Sequence, residues 1–141
     1  MAGDAQCKVD FYLLGSPRLS AEHLACKLSM MAWERGHRIH VVAADDRVDA
    51  LDELMWSYPE DRFLPHGPAG KDAAAPVRIG GEPPADADLV INLTPEPLTV
   101  SARWRRLLEI VPHDPAEREA SREKFRAYRA HGLAPDTHEM N

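Results

Sequence analysis

"KVDFYLLGSPRLSAEHLACKLSMMAWERGHRIHVVAA", residues 8–44, decides the fold class. Residues 8–14 are rich in β-formers and stop at Gly15-Ser16-Pro17, which reads as a strand running into a turn. Ser20 then offers an N-cap, and Leu24, Leu28 and Met31 recur at helical spacing with Ala21, Ala25 and Ala32 beside them. Gly36 closes this helix as a C′ residue, and "RIHVVAA" (38–44) is a second strand.

The alternation continues downstream. Asp45 or Asp46 is the expected cap of a helix carrying Val48, Leu51, Leu54 and Met55 on one face and ending before Pro59. "RFLPH" allows only a short strand, because Pro65 cannot donate to a ladder, and residues 67–76 read as a loop. "VRIG" is a short strand and "GEPPADA" a loop, while "DLVINL" (88–93) is a continuous apolar run of the kind covered on both faces. "SARWRR" is expected to open a helix and "LLEIVP" to form the final strand. In "DPAE", Asp114 is an N-cap, Pro115 sits at N1 and Glu117 at N3, so a last helix runs to Gly132 and leaves "LAPDTHEMN" as a frayed tail. Strands alternating with helices give a single α/β domain over residues 1–141. Its expected form is three layers around a largely parallel sheet, Rossmann-like without a nucleotide site.

The totals limit what such a domain does. The net charge is −6, against the basic surface that broad contact with a phosphate backbone requires. Residues 101–131 nevertheless hold eight Lys or Arg against five Asp or Glu, a local +3 suited to an acidic partner. No apolar run nears the roughly 20 residues of a membrane span, no secretory signal is visible, and Cys7 and Cys26 are isolated thiols. These features give the expectation of a cytoplasmic protein without a membrane contact.

Several motifs fail on inspection. The turn after the first strand, "GSPRLS", has one glycine and a proline where a dinucleotide cradle needs several glycines. "GPAGKD" has the wrong spacing for a phosphate loop, with Asp72 where Ser or Thr should hold magnesium. None of the seven histidines lies in a zinc-binding spacing, and His37 and His40 read as surface and edge positions. No catalytic constellation, metal set or cofactor site emerges.

Two segments look made for partners. On the last helix Arg118, Arg122, Phe125, Arg126 and Arg129 recur at offsets of four, seven, eight and eleven, along one stripe. Guanidinium forks beside a ring suit a peptide ending in an aromatic residue and a free carboxylate. The simpler reading of the stripe is a solvated basic face with Phe125 turned inward. The second segment is "LDELMWSYPEDRFLPH" (51–66), where Trp56, Tyr58 and Phe63 crowd together with Pro65 and His66. Trp56 and Phe63 can anchor a helix end and a strand in the core, or form an exposed docking patch of aromatic anchors.

At these segments the chain resembles the chi subunit of bacterial DNA polymerase III holoenzyme, through "DFYLL", "LACKLSMMAWERGHRIHV", "LDELMWSYPEDRFLPH", "APVRI", "DLVINL", "LLEIVP" and "SREKFRAYRAHG". The resemblance implies a non-catalytic accessory subunit of the clamp-loader assembly. It would pair with the psi subunit, grip the acidic C-terminal tail of single-stranded-DNA-binding protein, and touch DNA only indirectly. Carried over, the tail pocket is Val111, Arg122, Phe125, Arg126 and Arg129, and the psi-facing patch is Trp56, Tyr58, Phe63, Pro65 and His66. Phe125 stands where the family commonly has tyrosine, and Arg126 where it has lysine. The rival readings are a nucleotide-binding α/β enzyme and a direct single-stranded nucleic-acid-binding module.

Overall fold

Seven parallel strands and three helices make up the computed structural model, which describes residues 7–58, 63–71 and 74–141. The strands are β1 (Lys8–Leu14), β2 (Ile39–Val42), β3 (His66–Pro68), β4 (Val77–Ile79), β5 (Leu89–Asn92), β6 (Arg106–Val111) and β7 (Asp136–Met140). The helices are α1 (Ala21–Glu34), α2 (Val48–Ser57) and α3 (Pro115–Ala130). In space the strands run β3-β4-β2-β5-β6-β1-β7. Thus β1 and β2, joined by α1, are separated in the sheet by β5 and β6.

Strand alternation sends side chains to two cores. Leu108 and Ile110 of β6 join Leu14, Ile39, Ile91 and the inner residues of α1 and α2, including Cys26, Met30, Leu51 and Met55. Leu107 and Val111 join Val9, Phe11, Val90 and Tyr128 of α3 on the other face. All four residues of β5 are buried, as its continuous apolar run anticipates. The three layers expected from the sequence are therefore present.

The caps of α1 and α3 are as read. Ser20 Oγ accepts from His23 N at 3.2 Å, and Asp114 Oδ2 accepts from Glu117 N at 3.0 Å. Gly36 leaves α1 with φ +86°, a left-handed conformation that glycine adopts without strain. Gly80 meets a second constraint: its φ is +87°, and a Cβ there would come within 2.7 Å of Val48 Cγ2. The turn after β4 thus passes directly against the start of α2.

Five local expectations are corrected. "SARWRR" is not helical. Ser101 Oγ donates to Ala85 O at 2.8 Å and accepts from Arg103 N, while buried Trp104 donates its indole N–H to Pro84 O at 2.8 Å. These side-chain bonds hold a turn in place of a helix, up to the start of β6 at Arg106. Asp45 and Asp46 do not cap α2; they lie in a 3-10 turn, Asp45–Arg47, ahead of it. Arg47 from that turn grips Glu22 of α1 through Nε and Nη2 at 2.7–3.0 Å.

The third correction concerns residues 62–66. Arg62 and Pro59 lie outside the described residues, and pairing starts only at His66, extending through Gly67 and Pro68 into the expected loop. β3 is an edge strand, which tolerates the proline. His40, fourth, is neither edge nor surface. It sits buried in β2 with Nε2 bonded to Gly81 O at 3.2 Å, and burial lowers its pKa so that the neutral ring is favoured.

The fifth correction is the C-terminus. Residues 136–140 are no frayed tail but β7, paired in parallel with β1 from Asp10↔Asp136 to Leu14↔Met140, so β6 is not the final strand. The segment lacks an apolar pattern because an edge strand needs none. His138 Nε2 donates to Asp10 Oδ1 at 2.8 Å and its ring stacks on Tyr12, while Lys8 pairs with Asp136. Burial would raise the Asp10 carboxyl, but the donations from His138 and Arg106 outweigh it and hold its pKa below the ordinary value.

Candidate protein-docking sites

The cationic site is built on α3. Its inner face is set by an ionic network that the sequence reading missed: Lys124 is 3% exposed, and its Nζ lies 2.7 Å from Glu109 Oε1 of β6 and 2.6 Å from Thr94 O. Glu109, wholly buried, also accepts from Tyr128 OH at 2.6 Å and Asn92 Nδ2 at 2.9 Å. Burial pushes the Glu109 carboxyl up in pKa, and the Lys124 ammonium with these two donors opposes that push. Tyr128 OH in turn accepts from Leu98 N at 3.0 Å, so one network ties α3 to the loop after β5 and to β6.

With Ser121, Lys124 and Tyr128 turned inward, the arginines turn outward. Arg122 and Arg126 are both exposed and lean on acids one turn back: Arg122 Nη1 on Glu119 Oε1 at 2.8 Å, Arg126 Nη1 on Glu123 Oε2 at 2.5 Å. Arg129 is exposed as well. Arg118 bends toward the sheet and donates to Leu14 O at 3.0 Å. Phe125 sits at the border of core and solvent, half-buried, its ring 5.5 Å from that of Phe11.

Beside Phe125 lies a cleft of about 170 Å³ lined by Leu13, Arg118, Ser121, Arg122 and Thr137 with Phe11 at its base. The structure thus brings Arg122 and Phe125 to one opening. Val111 is 1% exposed and packs within the core cluster that Phe125 borders, so it supports the site from beneath and does not line it. Arg126 and Arg129 extend along the helix outside the cleft lining. Leu13 and Thr137 were not anticipated. Thr137 had no apolar or charge signal and reaches the cleft only because β7 completes the sheet.

The second surface is formed by α2 and the segment before β3. Trp56 and Phe63 are 57% and 62% exposed, with ring centroids 5.8 Å apart, so neither is a core anchor. That role belongs to Leu51, Met55 and Leu64. His66 is buried under Trp56 at 4.7 Å, edge to face; its Nδ1 bonds to Leu64 O and its Nε2 to Asp52 O. Pro65 is half-buried alongside. Tyr58 is not part of this cluster: its ring packs against His23 of α1 at 4.8 Å.

The turn after β1 offers no nucleotide cradle. Gly15 N donates to Met140 O at 2.7 Å, and a Cβ on Gly15 would strike the chain's own Asn141. Both thiols are buried, and burial raises each to about 12, so they stay protonated. Among the described residues no cluster of His, Cys, Asp and Glu suits a metal ion, and no helix is long and apolar enough to cross a membrane.

The family model described as DNA polymerase III chi subunit, HolC, matches residues 7–136. The chain belongs to the DNA polymerase III chi family. It is 40% identical over 137 residues to DNA polymerase III subunit chi of Pseudomonas aeruginosa, covering 94% of this chain and 96% of that protein. It is 30% identical over 139 residues to the Escherichia coli protein of the same name, covering 90% and 94% of the two chains. The Haemophilus influenzae subunit is 28% identical over 130 residues, at 86% and 90% coverage. As a chi-family member the protein is an accessory subunit in DNA replication.

Proposed function

We propose that this chi-family protein links the polymerase assembly to single-stranded-DNA-binding protein by gripping that protein's acidic C-terminal tail on α3. The supporting observation is the outward guanidinium face of α3 beside a half-buried ring and cleft. A terminal carboxylate meets Arg122 and Arg118, and an apolar side chain enters against Phe125 and Leu13. Preceding acids follow Arg126 and Arg129 along the helix. A phenylalanine at 125 presents no hydroxyl, so recognition of the carboxylate falls to the guanidinium groups.

The test is calorimetric titration with an acidic peptide ending in a free Phe carboxylate. Charge-assisted hydrogen bonds contribute about 1.5–3 kcal/mol each. Arg122→Ala with Arg126→Ala is therefore expected to weaken binding roughly 100-fold, allowing for solvent screening at this exposed site. Binding also weakens as salt rises, because exposed charges are screened beyond ~8 Å at physiological ionic strength. Undiminished binding by the double variant would refute the site.

The exposed Trp56 and Phe63 rings, with Pro65 at their margin and buried His66 beneath, are the proposed psi-facing patch. Its exposed rings are the kind of anchor that protein interfaces use. Pull-down from native extract identifies the clamp-loader protein that docks there. Retention of every clamp-loader component by Trp56→Ala with Phe63→Ala would remove this patch from the assignment.

A further inference from the structure

A third surface is used by neither site. Below the N-terminal ends of β5 and β6 lies a cleft of about 290 Å³. The C-terminal half of α1 supplies one side with Leu28 and Met31, and Arg35 follows at its end; Arg105, just ahead of β6, and Arg106 and Leu108 within it supply the other. Its position is unusual, because α/β sheets hold ligands at the opposite, C-terminal ends of their strands.

Two observations give it a chemistry. Met31 is 45% exposed, the one large exposed hydrophobic group among the described residues outside the Trp56–Phe63 pair. Around it stand three arginines against a single lining acid, Asp88. That acid is already engaged, accepting from Arg38 N at 2.8 Å and facing Arg105 Nε at 3.7 Å. Arg106 spends its Nη2 on Asp10 at 2.7 Å. Arg35 is exposed, and Arg105, although its Nε faces Asp88, is 71% exposed, so the two stand as cationic arms on the two sides of an apolar floor.

We infer that this cleft docks an internal acidic peptide segment, one apolar side chain seated on Met31 with carboxylates on either side meeting Arg35 and Arg105. Cations contributed from both sides fit an acid–apolar–acid sequence better than a chain end. The apolar floor favours a peptide over a phosphate backbone, which has nothing to place on Met31, Leu28 and Leu108. The site is independent of the α3 reading.

The probe is the N-acetylated, C-amidated pentapeptide Asp-Asp-Leu-Asp-Asp, titrated into the full ¹⁵N-labelled chain while backbone amide shifts are followed. Saturable shifts are expected at Met31, Ala32, Leu89 and Arg105. They persist in Arg122→Ala with Arg126→Ala, which separates this site from α3. Arg35→Ala with Arg105→Ala, and Met31→Ser, change exposed groups and leave the fold intact; each is expected to weaken binding roughly fivefold or more. Shifts confined to α3, or unchanged affinity in the Arg35→Ala, Arg105→Ala variant, would overturn the proposal. So would an oligothymidylate that saturates the same amides at lower concentration than the peptide at physiological ionic strength.

Discussion

Replacing Lys124 by methionine tests how α3 is held. Methionine keeps the apolar stem but removes an ammonium that lies 2.7 Å from Glu109 Oε1 and 2.6 Å from Thr94 O. Glu109 is then left at 0% exposure with only Tyr128 OH and Asn92 Nδ2 as donors. Removing one partner of a buried ion pair costs about 3–5 kcal/mol, a large part of the roughly 5–15 kcal/mol that stabilises a domain. For a chain of this length the melting temperature falls by roughly 10–15 °C. Urea denaturation followed by circular dichroism measures the loss.

The same variant carries a pH signature. Burial raises the folded Glu109 carboxyl above its ordinary 4.5, and losing Lys124 removes the charge that opposed this. A raised carboxyl binds protons in the folded state that the unfolded chain has released. Stability is therefore greatest below the unfolded value and lost as pH rises through the folded one, so the variant gains stability on acidification from neutral pH. Adding Glu109→Gln keeps an acceptor for Tyr128 and Asn92 without a charge, and is expected to recover most of the loss. A Lys124→Met protein within about 1 kcal/mol of the parent, or a double variant no better than the single one, would refute a structural role for the pair.

The other expectations are simpler to read. Glu119→Ala with Glu123→Ala frees Arg122 and Arg126 from their intrahelical partners, which at this exposure hold them by about 0.5 kcal/mol each; acidic-peptide affinity measured by calorimetry rises roughly fivefold. Trp56→Ala alters an exposed ring, so the urea midpoint moves by less than about 1 kcal/mol equivalent while capture of its partner drops; a large loss of stability would return Trp56 to the core. Deleting residues 136–141 uncovers the β1 edge, and light scattering is expected to show self-association; elution and melting identical to the full chain would mean that β7 contributes nothing.

Much of this architecture was legible in the sequence because its signals are local. Ser20, Gly36, Asp114 and Pro115 mark helix ends by their own chemistry, and the run through Leu89–Asn92 advertises a doubly covered strand. The failures share a different cause. Ser101 and Trp104 bond to Ala85 and Pro84, and β7 rests on pairing with residues about 126 positions earlier, so neither fate is written in the neighbouring residues. Lys124 sits in a helix rich in basic residues and has no local mark of burial; the one local sign of a buried partner is Glu109, a charge inside the apolar run Leu107–Val111. The arginines of α3 were visible as a stripe, whereas Leu13 and Thr137 reach the cleft through tertiary pairing alone. Trp56 and Phe63 have the hydrophobicity of core residues, and composition could not reveal that Leu51, Met55 and Leu64 fill that space instead.

Because β1 lies between β6 and β7, it has no partner strand until the ribosome has travelled far along the message. Lys8 pairs opposite Arg106, and at roughly 5–20 residues per second the interval is about 5–20 s. Throughout that time Val9, Phe11 and Leu14 sit on a nascent chain whose nearest strand in sequence, β2, is never their neighbour. Synthesis of this small subunit thus includes a long wait with a greasy ribbon uncovered, which makes its yield sensitive to translation speed and to whatever shields such ribbons in the cell.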